Sequence, residues 1–347
     1  MTEITIKDIA KQCGVGVSTV SRAINNHPDI HPATRQMIMD EIERTGFIPN
    51  NSARNLKRTD AKCIAVLVKG ITNPFFTRMI QIIEEETQRN KYALVLRHVE
   101  AYEDEVDVAL ELVKEKRLRG IIFLGGSFYH SEEKLAKLTV PSVFSAISDE
   151  VLNIVNHKNY SSVAVNDRLE SQKITNYLLE LGHRNIAIIT EGSEERSIGQ
   201  LRLEGYEAAF REHGLTIDPN MIWYVDEEIE HYSMENGYMT MKKILESGLE
   251  ITAVYAISDM LAIGVCRAIL EAGKKIPEDI SVAGFDGISL GEYYNPKLTT
   301  IKQPREDMAK KTIYQMFDVI DGREEHKQII LEAELLERES TARLGKE

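Results

Sequence analysis

Apolar residues recur every three or four positions through the first fifty residues, which is the period of an amphipathic helix. Three such stripes predict helices over Ile6–Cys13, Val17–Asn25 and Pro32–Thr45. Glycines in the segment 14–16 permit the sharp turn between the first two helices, and Gly46 ends the third. Three short helices joined in this way predict an all-α head that contains a helix-turn-helix.

After residue 60 the pattern changes to continuous apolar runs that alternate with amphipathic stretches. Continuous apolar runs of this length indicate strands buried on both faces, as in parallel sheets. The predicted strands are Cys63–Val68, Ala93–Arg97, Gly120–Leu124, Val140–Phe144, Val163–Val165, Ile186–Thr190, Trp223–Val225, Ala253–Ala256 and Ser281–Ala283. The predicted helices are Phe75–Arg89, Val106–Lys116, Glu170–Leu181, Arg202–Glu212, Met234–Ser247, Met260–Ala272 and Arg305–Asp321. This alternation predicts an α/β body of two doubly wound parallel-sheet subdomains.

The changes of pattern along the chain predict its domain boundaries. We expect a helix-turn-helix domain over residues 1–49 and a hinge over 50–60. The first subdomain is expected over 61–162 and 291–322, and the second over 163–290 and 323–340. The runs KCIAVLV and RNIAIIT resemble each other, which predicts a structural unit that begins at each of them and so occurs twice in the body.

The charge of the chain is divided unevenly between head and body. Residues 1–59 contain eight Lys/Arg and six Asp/Glu, which is a net charge of +2. The whole chain has a net charge of −13, so the remaining residues carry −15. An acidic body is repelled by phosphate, so contact with nucleic acid is expected only from the head and hinge.

Other bulk features exclude several classes of protein. The sequence has no apolar run of transmembrane length and no signal peptide, and its three cysteines are far apart. We therefore expect a cytoplasmic protein with structural thiols and without a disulfide framework, a metal site or a cofactor.

The second predicted helix carries chemistry that suits the major groove of DNA. Val20 and Ala23 lie on its inward face, which leaves Val17, Ser18 and Arg22 outward near its first half. Arginine forms bidentate hydrogen bonds with guanine, and valine packs on a thymine methyl group. A solvated surface helix is the plainer interpretation of the same residues.

The segment that follows the third helix, PNNSARNL, predicts a second contact with DNA. Leu56 is an apolar side chain flanked by Arg54, Lys57 and Arg58. An apolar side chain inserted between base pairs in the minor groove, with cations beside it, kinks the duplex. A plain basic linker is the alternative.

Several polar or aromatic residues follow predicted strands of the body. Ligands of doubly wound sheets bind at the carboxyl ends of strands, so these residues are expected to converge on one cleft between the subdomains. The predicted effector-binding residues are Phe75, Arg196, Arg202, Tyr232, Ser258, Asp286 and Gln303. Arg202 has a plainer role as an ion-pair partner of Glu195 or Glu204, and helix capping is the expected role of Asp259.

The chain resembles the lactose/galactose repressor (LacI/GalR) family along essentially its whole length. The resemblance rests on TIKDIA, TVSR, NPFF, LGHRNIA, SDMLAIG, PEDISVAGFD and LTTIKQP in this order. It implies a body like periplasmic binding proteins, base reading by Val17, Ser18 and Arg22, and a minor-groove lever at Leu56. The predicted DNA contacts are Thr5, Val17, Ser18, Thr19, Ser21, Arg22, Asn25, Asn50, Ala53, Arg54 and Leu56.

The chain also departs from the family pattern at several positions. Gly16 stands where many members have a serine, and Asn26 stands where a glycine is frequent. In the body, Asn166–Asp167 stands where Asp-Asn is common, and Ser258 replaces a frequent asparagine. These departures leave the identity of the effector open.

These observations predict a homodimeric transcriptional repressor that binds a pseudo-palindromic operator in double-stranded DNA. A small molecule in the cleft is expected to control that binding allosterically, with a sugar as the first expectation and a purine as the second. The helices Phe75–Arg89 and Arg305–Asp321 are candidates for the dimer face.

Two other functions fit parts of the same sequence. One is a solute-binding protein, which leaves residues 1–58 without a use. The other is an α/β hydrolase, because Gly287–Gly291 matches G-x-S-x-G around Ser289. Only His326 follows that motif among the histidines, and the glycine run of an oxyanion hole is absent, so no catalytic residue and no enzyme is predicted.

Overall fold

A computed structural model describes residues 4–24, 27, 29–47, 62–100, 102–126, 132–147, 160–192 and 197–345. It divides the chain into two compact units, 1–61 and 62–347, which we call the head and the body.

The described part of the head contains three helices, α1 (Ile6–Gln12), α2 (Val17–Ile24) and α3 (Pro32–Thr45), with bounds within one residue of those predicted. The Asp8 carboxylate accepts hydrogen bonds from the Thr5 backbone N–H at 2.8 Å and hydroxyl at 2.6 Å, which fixes the start of α1. Apolar side chains from all three helices meet in one small core. Its buried members are Ile9, Ala10, Val20, Ala23 and Ile38.

The body contains two six-stranded sheets. The first has the order β11-β5-β4-β3-β1-β2, and every strand pair in it is parallel. Its strands are β1 (Cys63–Lys69), β2 (Ala93–Val99), β3 (Leu118–Leu124), β4 (Ser142–Ser145), β5 (Tyr160–Val165) and β11 (Gln328–Leu331). The helices of this half are α4 (Pro74–Arg89), α5 (Glu105–Glu115), α6 (Glu132–Leu135) and α12 (Arg305–Ile320).

The second sheet has the order β12-β10-β9-β8-β6-β7. Its strands are β6 (Ile186–Thr190), β7 (Ile222–Tyr224), β8 (Ala253–Ala256), β9 (Ser281–Asp286), β10 (Thr299–Lys302) and β12 (Glu334–Leu336). The helices of this half are α7 (Asp167–Glu180), α8 (Ile198–Glu212), α9 (Met234–Glu246), α10 (Asp259–Glu271) and α11 (Ser289–Tyr293), with a 3₁₀ turn at Pro219–Met221. The antiparallel pair β10–β12 is the one departure from the predicted parallel arrangement among the described strands.

The two sheets have the same order of strands, which confirms the internal repeat. The first strand of each half, β1 or β6, lies second in its sheet, between the second and third strands of its half. Strand order reverses at this point, and the carboxyl ends of the strands there form the ligand crevice of doubly wound folds.

The chain crosses between the sheets later than the sequence predicts. β5 pairs in the first sheet although residue 163 was expected to open the second half, and the crossing follows Val165. β10 pairs in the second sheet although 291–322 was assigned to the first, so the return crossing lies at Gln303–Pro304. β11 then pairs in the first sheet and β12 in the second, so the last crossing lies at residues 332–333 rather than 322. An apolar run identifies a strand but not its partner, which explains the errors.

The third crossing is fixed by buried charges of α7. The Ala333 backbone N–H donates to Glu170 Oε1 at 3.2 Å, and the Ala333 carbonyl accepts from Lys173 Nζ at 2.9 Å. Glu170 is 3% exposed and also pairs with Lys173. The crossing is therefore attached to α7.

Capping residues explain why two helices begin earlier than predicted. Asn166 accepts from the Leu169 N–H at 3.0 Å and starts α7, and Ser197 accepts from the Gln200 N–H at 3.2 Å and starts α8. These caps precede the first apolar position of their helices, so the apolar stripe alone misses them. The candidate dimer helices α4 and α12 pack on each other, and their role in a dimer stays a prediction.

Candidate functional site

The outward face of α2 carries the predicted base-reading residues. Val17 is 41% exposed, and Ser18 and Arg22 are exposed, whereas Val20 and Ala23 are completely buried in the head core. An exposed apolar residue next to exposed donors suits the base edges of a major groove. Thr19 and Ser21 are half-buried, and the hydroxyl of Thr5 is hydrogen bonded to Asp8.

The predicted hinge contacts lie outside the described residues. They are Asn50, Ala53, Arg54 and Leu56, and the same holds for Asn25 at the end of the recognition helix. Their roles in DNA binding stay predictions.

In the body, Asp286 is the centre of a buried polar cluster at the carboxyl ends of the strands. Its Oδ1 accepts from Gln303 Nε2 at 2.9 Å, and its Oδ2 accepts from Asn73 Nδ2 at 3.5 Å. Asn73 follows β1 of the first sheet, whereas Asp286 ends β9 of the second, so the cluster joins both halves. The backbone of Asp286 has φ of 112°, a conformation that costs energy for a residue with a side chain and is typical of functional sites.

Arg202 lies beside this cluster and is 4% exposed. Its Nε and Nη2 donate to Asp167 Oδ1 at 2.9 and 2.8 Å, and its Nη1 donates to the Ile257 carbonyl at 2.5 Å. Its guanidinium group also lies 3.6 Å from the ring centre of Phe285. Among the described residues the carboxylate partner of Arg202 is Asp167 rather than Glu204, and Glu195 lies outside the described residues.

Burial perturbs two carboxyl groups of this region. Burial raises the pKa of Asp286 to about 6, although the Arg202 charge and the Gln303 and Asn73 hydrogen bonds act to lower it. Burial also raises the pKa of Asp259 to about 8, and the charge of Asp286 adds to this effect. Arg202 stays charged because Asp167 and Asp286 raise its pKa against the effect of burial.

Asp259 is not the helix cap that the sequence predicts. Ser258 caps α10 by accepting from the Leu261 N–H at 3.2 Å. The Asp259 carboxylate instead accepts from the Ile288 N–H at 2.7 Å and from the Thr300 hydroxyl at 2.6 Å. Asp259 thus joins the start of α10 to the loop after β9 and to β10, and Ser258 is fully buried in its capping role.

Tyr232 belongs to a second polar group, centred on Glu191 at the end of β6. The Glu191 carboxylate accepts from the Gly199 N–H at 2.9 Å, lies 3.7 Å from His231 Nδ1 and is hydrogen bonded to Tyr232. Burial acts to raise the pKa of Glu191, but these hydrogen bonds lower it overall. Burial, with the Glu191 charge, raises the pKa of Tyr232, so its hydroxyl stays a donor.

The structure brings together Arg202, Asp286 and Gln303 among the predicted effector residues. Phe75 is 2% exposed and packs edge-on against Phe76, so in this conformation it offers no surface to a ligand. Arg196 lies outside the described residues. Sequence reasoning expected the segment Asn73–Phe76 at the cleft but committed only to Phe75, and it did not assign Asp167 to the site. The position of Asp167 shortly after β5 was the available signal.

Comparisons with known proteins agree with this architecture. The model for bacterial regulatory proteins of the lacI family matches residues 5–50, and the model for a periplasmic binding protein-like domain matches residues 175–341. The HTH-type transcriptional regulator MalR of Clostridium butyricum is 39% identical over 340 residues, which cover 97% of this chain and 99% of that protein.

The chain belongs to the lacI family of bacterial transcriptional regulators.

Solved structures of lacI-family proteins have the same fold. A complex of the transcriptional regulator CelR with cellobiose is 26% identical, has a TM-score of 0.70 and covers 97% of this chain and 99% of that one. A Lac repressor dimer bound to operator and the anti-inducer ONPF is 23% identical, has a TM-score of 0.75 and covers 98% and 100%. The latter likeness shows the fold alone.

Membership of the lacI family excludes the hydrolase interpretation, and the geometry at Ser289 agrees. The Ser289 hydroxyl accepts from Arg305 Nη2 at 3.0 Å, and a guanidinium cannot act as a general base. His326 is instead 3.0 Å from the Ser161 hydroxyl. The lacI-family regulator is therefore not an enzyme. Among its described residues, no helix has the length and apolar character needed to span a membrane.

Proposed function

We propose that this chain is a homodimeric repressor whose operator binding is controlled by a neutral sugar in the cleft of the body. The cluster of Asn73, Arg202, Asp286 and Gln303 carries the proposal, because it gathers buried donors and acceptors from both halves. The protein would act at the bacterial chromosome, in the cytoplasm.

The chemistry of the cleft favours a ligand rich in hydroxyl groups. Each hydroxyl both donates and accepts, so a sugar satisfies a carboxylate and an amide with one group. Asp286 supplies the acceptor, and Gln303 and Asn73 supply donors within 3.5 Å of it. The sugar in the CelR structure supports this choice.

Control of DNA binding follows from the position of the cluster between the two sheets. A ligand that replaces the Asn73–Asp286 contact changes the relative stability of open and closed forms of the body. In our proposal that motion is transmitted to the segment 50–60, which holds the predicted minor-groove lever Leu56. Coupling of this kind typically changes affinity by about 1–3 kcal/mol.

A purine is the second candidate ligand. Its support in the sequence is Arg196 with Ser197, next to Arg202. Ser197 is buried and caps α8, so the sugar is favoured.

The test uses the full chain and a DNA fragment from upstream of its own gene. Fluorescence anisotropy is measured without ligand and with maltose, cellobiose, ribose or hypoxanthine at the same ionic strength. We expect salt-dependent binding to that fragment and a response to one of the sugars. A response to hypoxanthine alone would replace the sugar by a purine, and no binding to DNA under any condition would refute the proposal.

A matched pair of variants links the response to the cleft. Asp286→Asn removes the buried charge of the cluster, and Asp279→Asn makes the same change at an exposed position before β9. We expect loss of the sugar response only in Asp286→Asn, with DNA binding retained in both. Equal responses would remove Asp286 from the effector site.

A further inference from the structure

We propose that Asp167 is a positioning residue that holds Arg202 away from Asp286 and so keeps the Asp286 carboxylate open to a neutral ligand. This inference rests on the proposed function, since it concerns the same cleft.

Each nitrogen of the Arg202 guanidinium group has a defined hydrogen-bond partner. Its Nε and Nη2 both donate to Asp167, and Nη1 donates to the Ile257 carbonyl. From Nη1 to Asp286 Oδ1 the distance is 4.0 Å, which is beyond hydrogen-bond length. Arg202 is therefore hydrogen bonded to Asp167, whereas Asp286 accepts its hydrogen bonds from the amides of Gln303 and Asn73.

Asp167 is held firmly enough to have this effect. It is 2% exposed and is the first residue of α7, whose start is capped by Asn166. The helix packs against α8, which carries Arg202, so acid and base lie on neighbouring rigid elements. The face of the guanidinium group rests on Phe285, which restricts it to its own plane.

Without Asp167, the carboxylate of Asp286 is the remaining charge partner of Arg202 in this cluster. Buried charges attract strongly over a gap of this size, and a buried guanidinium without a partner is costly. Nη1 then needs to move about 1 Å to reach hydrogen-bond distance from Asp286. The resulting ion pair would occupy the oxygen that a ligand hydroxyl needs.

The same arrangement sets the charge that a ligand meets. Two buried carboxylates lie near one guanidinium, which is hydrogen bonded to Asp167 and 4.0 Å from Asp286, and Glu191 adds a further acid at the end of β6. A phosphorylated sugar is disfavoured in such surroundings. Asp167 therefore acts as a determinant of selectivity for neutral over anionic sugars.

The first experiment needs no ligand. Crystal structures of the full chain are compared for wild type, Asp167→Ala and Asp167→Asn. In Asp167→Ala we expect the Arg202–Asp286 distance to fall from 4.0 Å to a salt bridge of about 3 Å. Asp167→Asn keeps an oxygen for Nε, so we expect its Arg202 to stay in place. An unchanged Arg202–Asp286 distance in Asp167→Ala would overturn the proposal.

The second experiment measures selectivity by calorimetry with maltose, cellobiose and the 6-phosphate of each. We expect Asp167→Ala to bind the neutral sugar about tenfold more weakly. Asp167→Asn should keep most of that affinity but lose preference for the neutral sugar over its phosphate. Glu180→Gln, an exposed charge change at the other end of α7, is the control and should match wild type.

The outcomes separate the two proposals. If wild type binds no sugar but Arg202 moves in Asp167→Ala, the sugar assignment fails and the positioning role stands. If wild type binds a sugar and both Asp167 variants keep its affinity and selectivity, the positioning role fails and the sugar assignment stands.

Discussion

Gln303 donates from Nε2 to Asp286 Oδ1 at 2.9 Å, and both side chains are 4% exposed. Gln303 follows β10 of the second sheet and precedes α12, which packs on the first sheet. The bond therefore joins a crossing between the sheets to the acid at the centre of the buried polar cluster.

Replacing Gln303 by alanine should weaken the effector response. The buried Asp286 carboxylate loses its closest amide donor, which costs about 1–3 kcal/mol for a charged group. We expect the sugar concentration for the half-maximal change in DNA binding to rise about tenfold, with DNA affinity in the absence of sugar little changed. Gln200→Ala, at an exposed position of α8, is the control, and equal midpoints in the two variants would contradict the role of Gln303.

The raised pKa of Asp259 predicts a pH-dependent stability. Its folded-state pKa of about 8 lies above the ordinary value of 3.8, so the folded state binds the extra proton between these values. The free energy of unfolding should therefore fall as the pH rises from about 4 to about 8. Asp286, with a pKa raised to about 6, contributes in the same direction over the lower part of that range.

Asp259→Asn mimics the protonated acid and should flatten this dependence. Urea midpoints at about pH 5 and about pH 9 measure it, and we expect the wild-type difference to shrink in the variant. Asp307→Asn, an exposed position, should keep the wild-type difference. An equal difference between the urea midpoints at the two pH values in wild type and Asp259→Asn would show that Asp259 does not titrate in this range.

Arg22→Ala should relax base specificity rather than weaken binding uniformly. The exposed Arg22 on α2 is predicted to pair with one guanine, a contact worth about 1–3 kcal/mol of discrimination. Binding to a set of operators with single base changes measures the effect, and one position should lose its preference. Lys11→Ala, on the exposed face of α1, is the comparison. An equal loss on every sequence would make Arg22 a phosphate contact.

Leu56→Ala should lower operator affinity while the body stays folded. The prediction rests on the sequence, in which Leu56 follows a basic segment suited to the minor groove. Anisotropy with operator DNA gives the affinity, and DNA bending in the complex should decrease with it. Leu270→Ala, at an exposed body position, should behave as wild type. Unchanged affinity and bending in Leu56→Ala would show that Leu56 is not a minor-groove lever.

The sequence predicted what depends on local periodicity. The three head helices follow from their apolar stripes, and Arg202 and Asp286 were found because polar residues after buried strands share one edge of a sheet. Asp167 was not predicted, because its position in the cluster depends on which sheet β5 joins. Apolar periodicity does not encode that choice. The same limit displaced the three predicted crossings.

The last two strands of the chain form an edge of each sheet in turn: β11 completes the first and β12 the second, only three residues apart. Neither half of the body is thus a continuous stretch of gene. A single crossover with a related gene therefore cannot exchange one complete half of the body while the other stays unchanged. A stop codon shortly before Gln328 would remove an edge strand from both sheets at once.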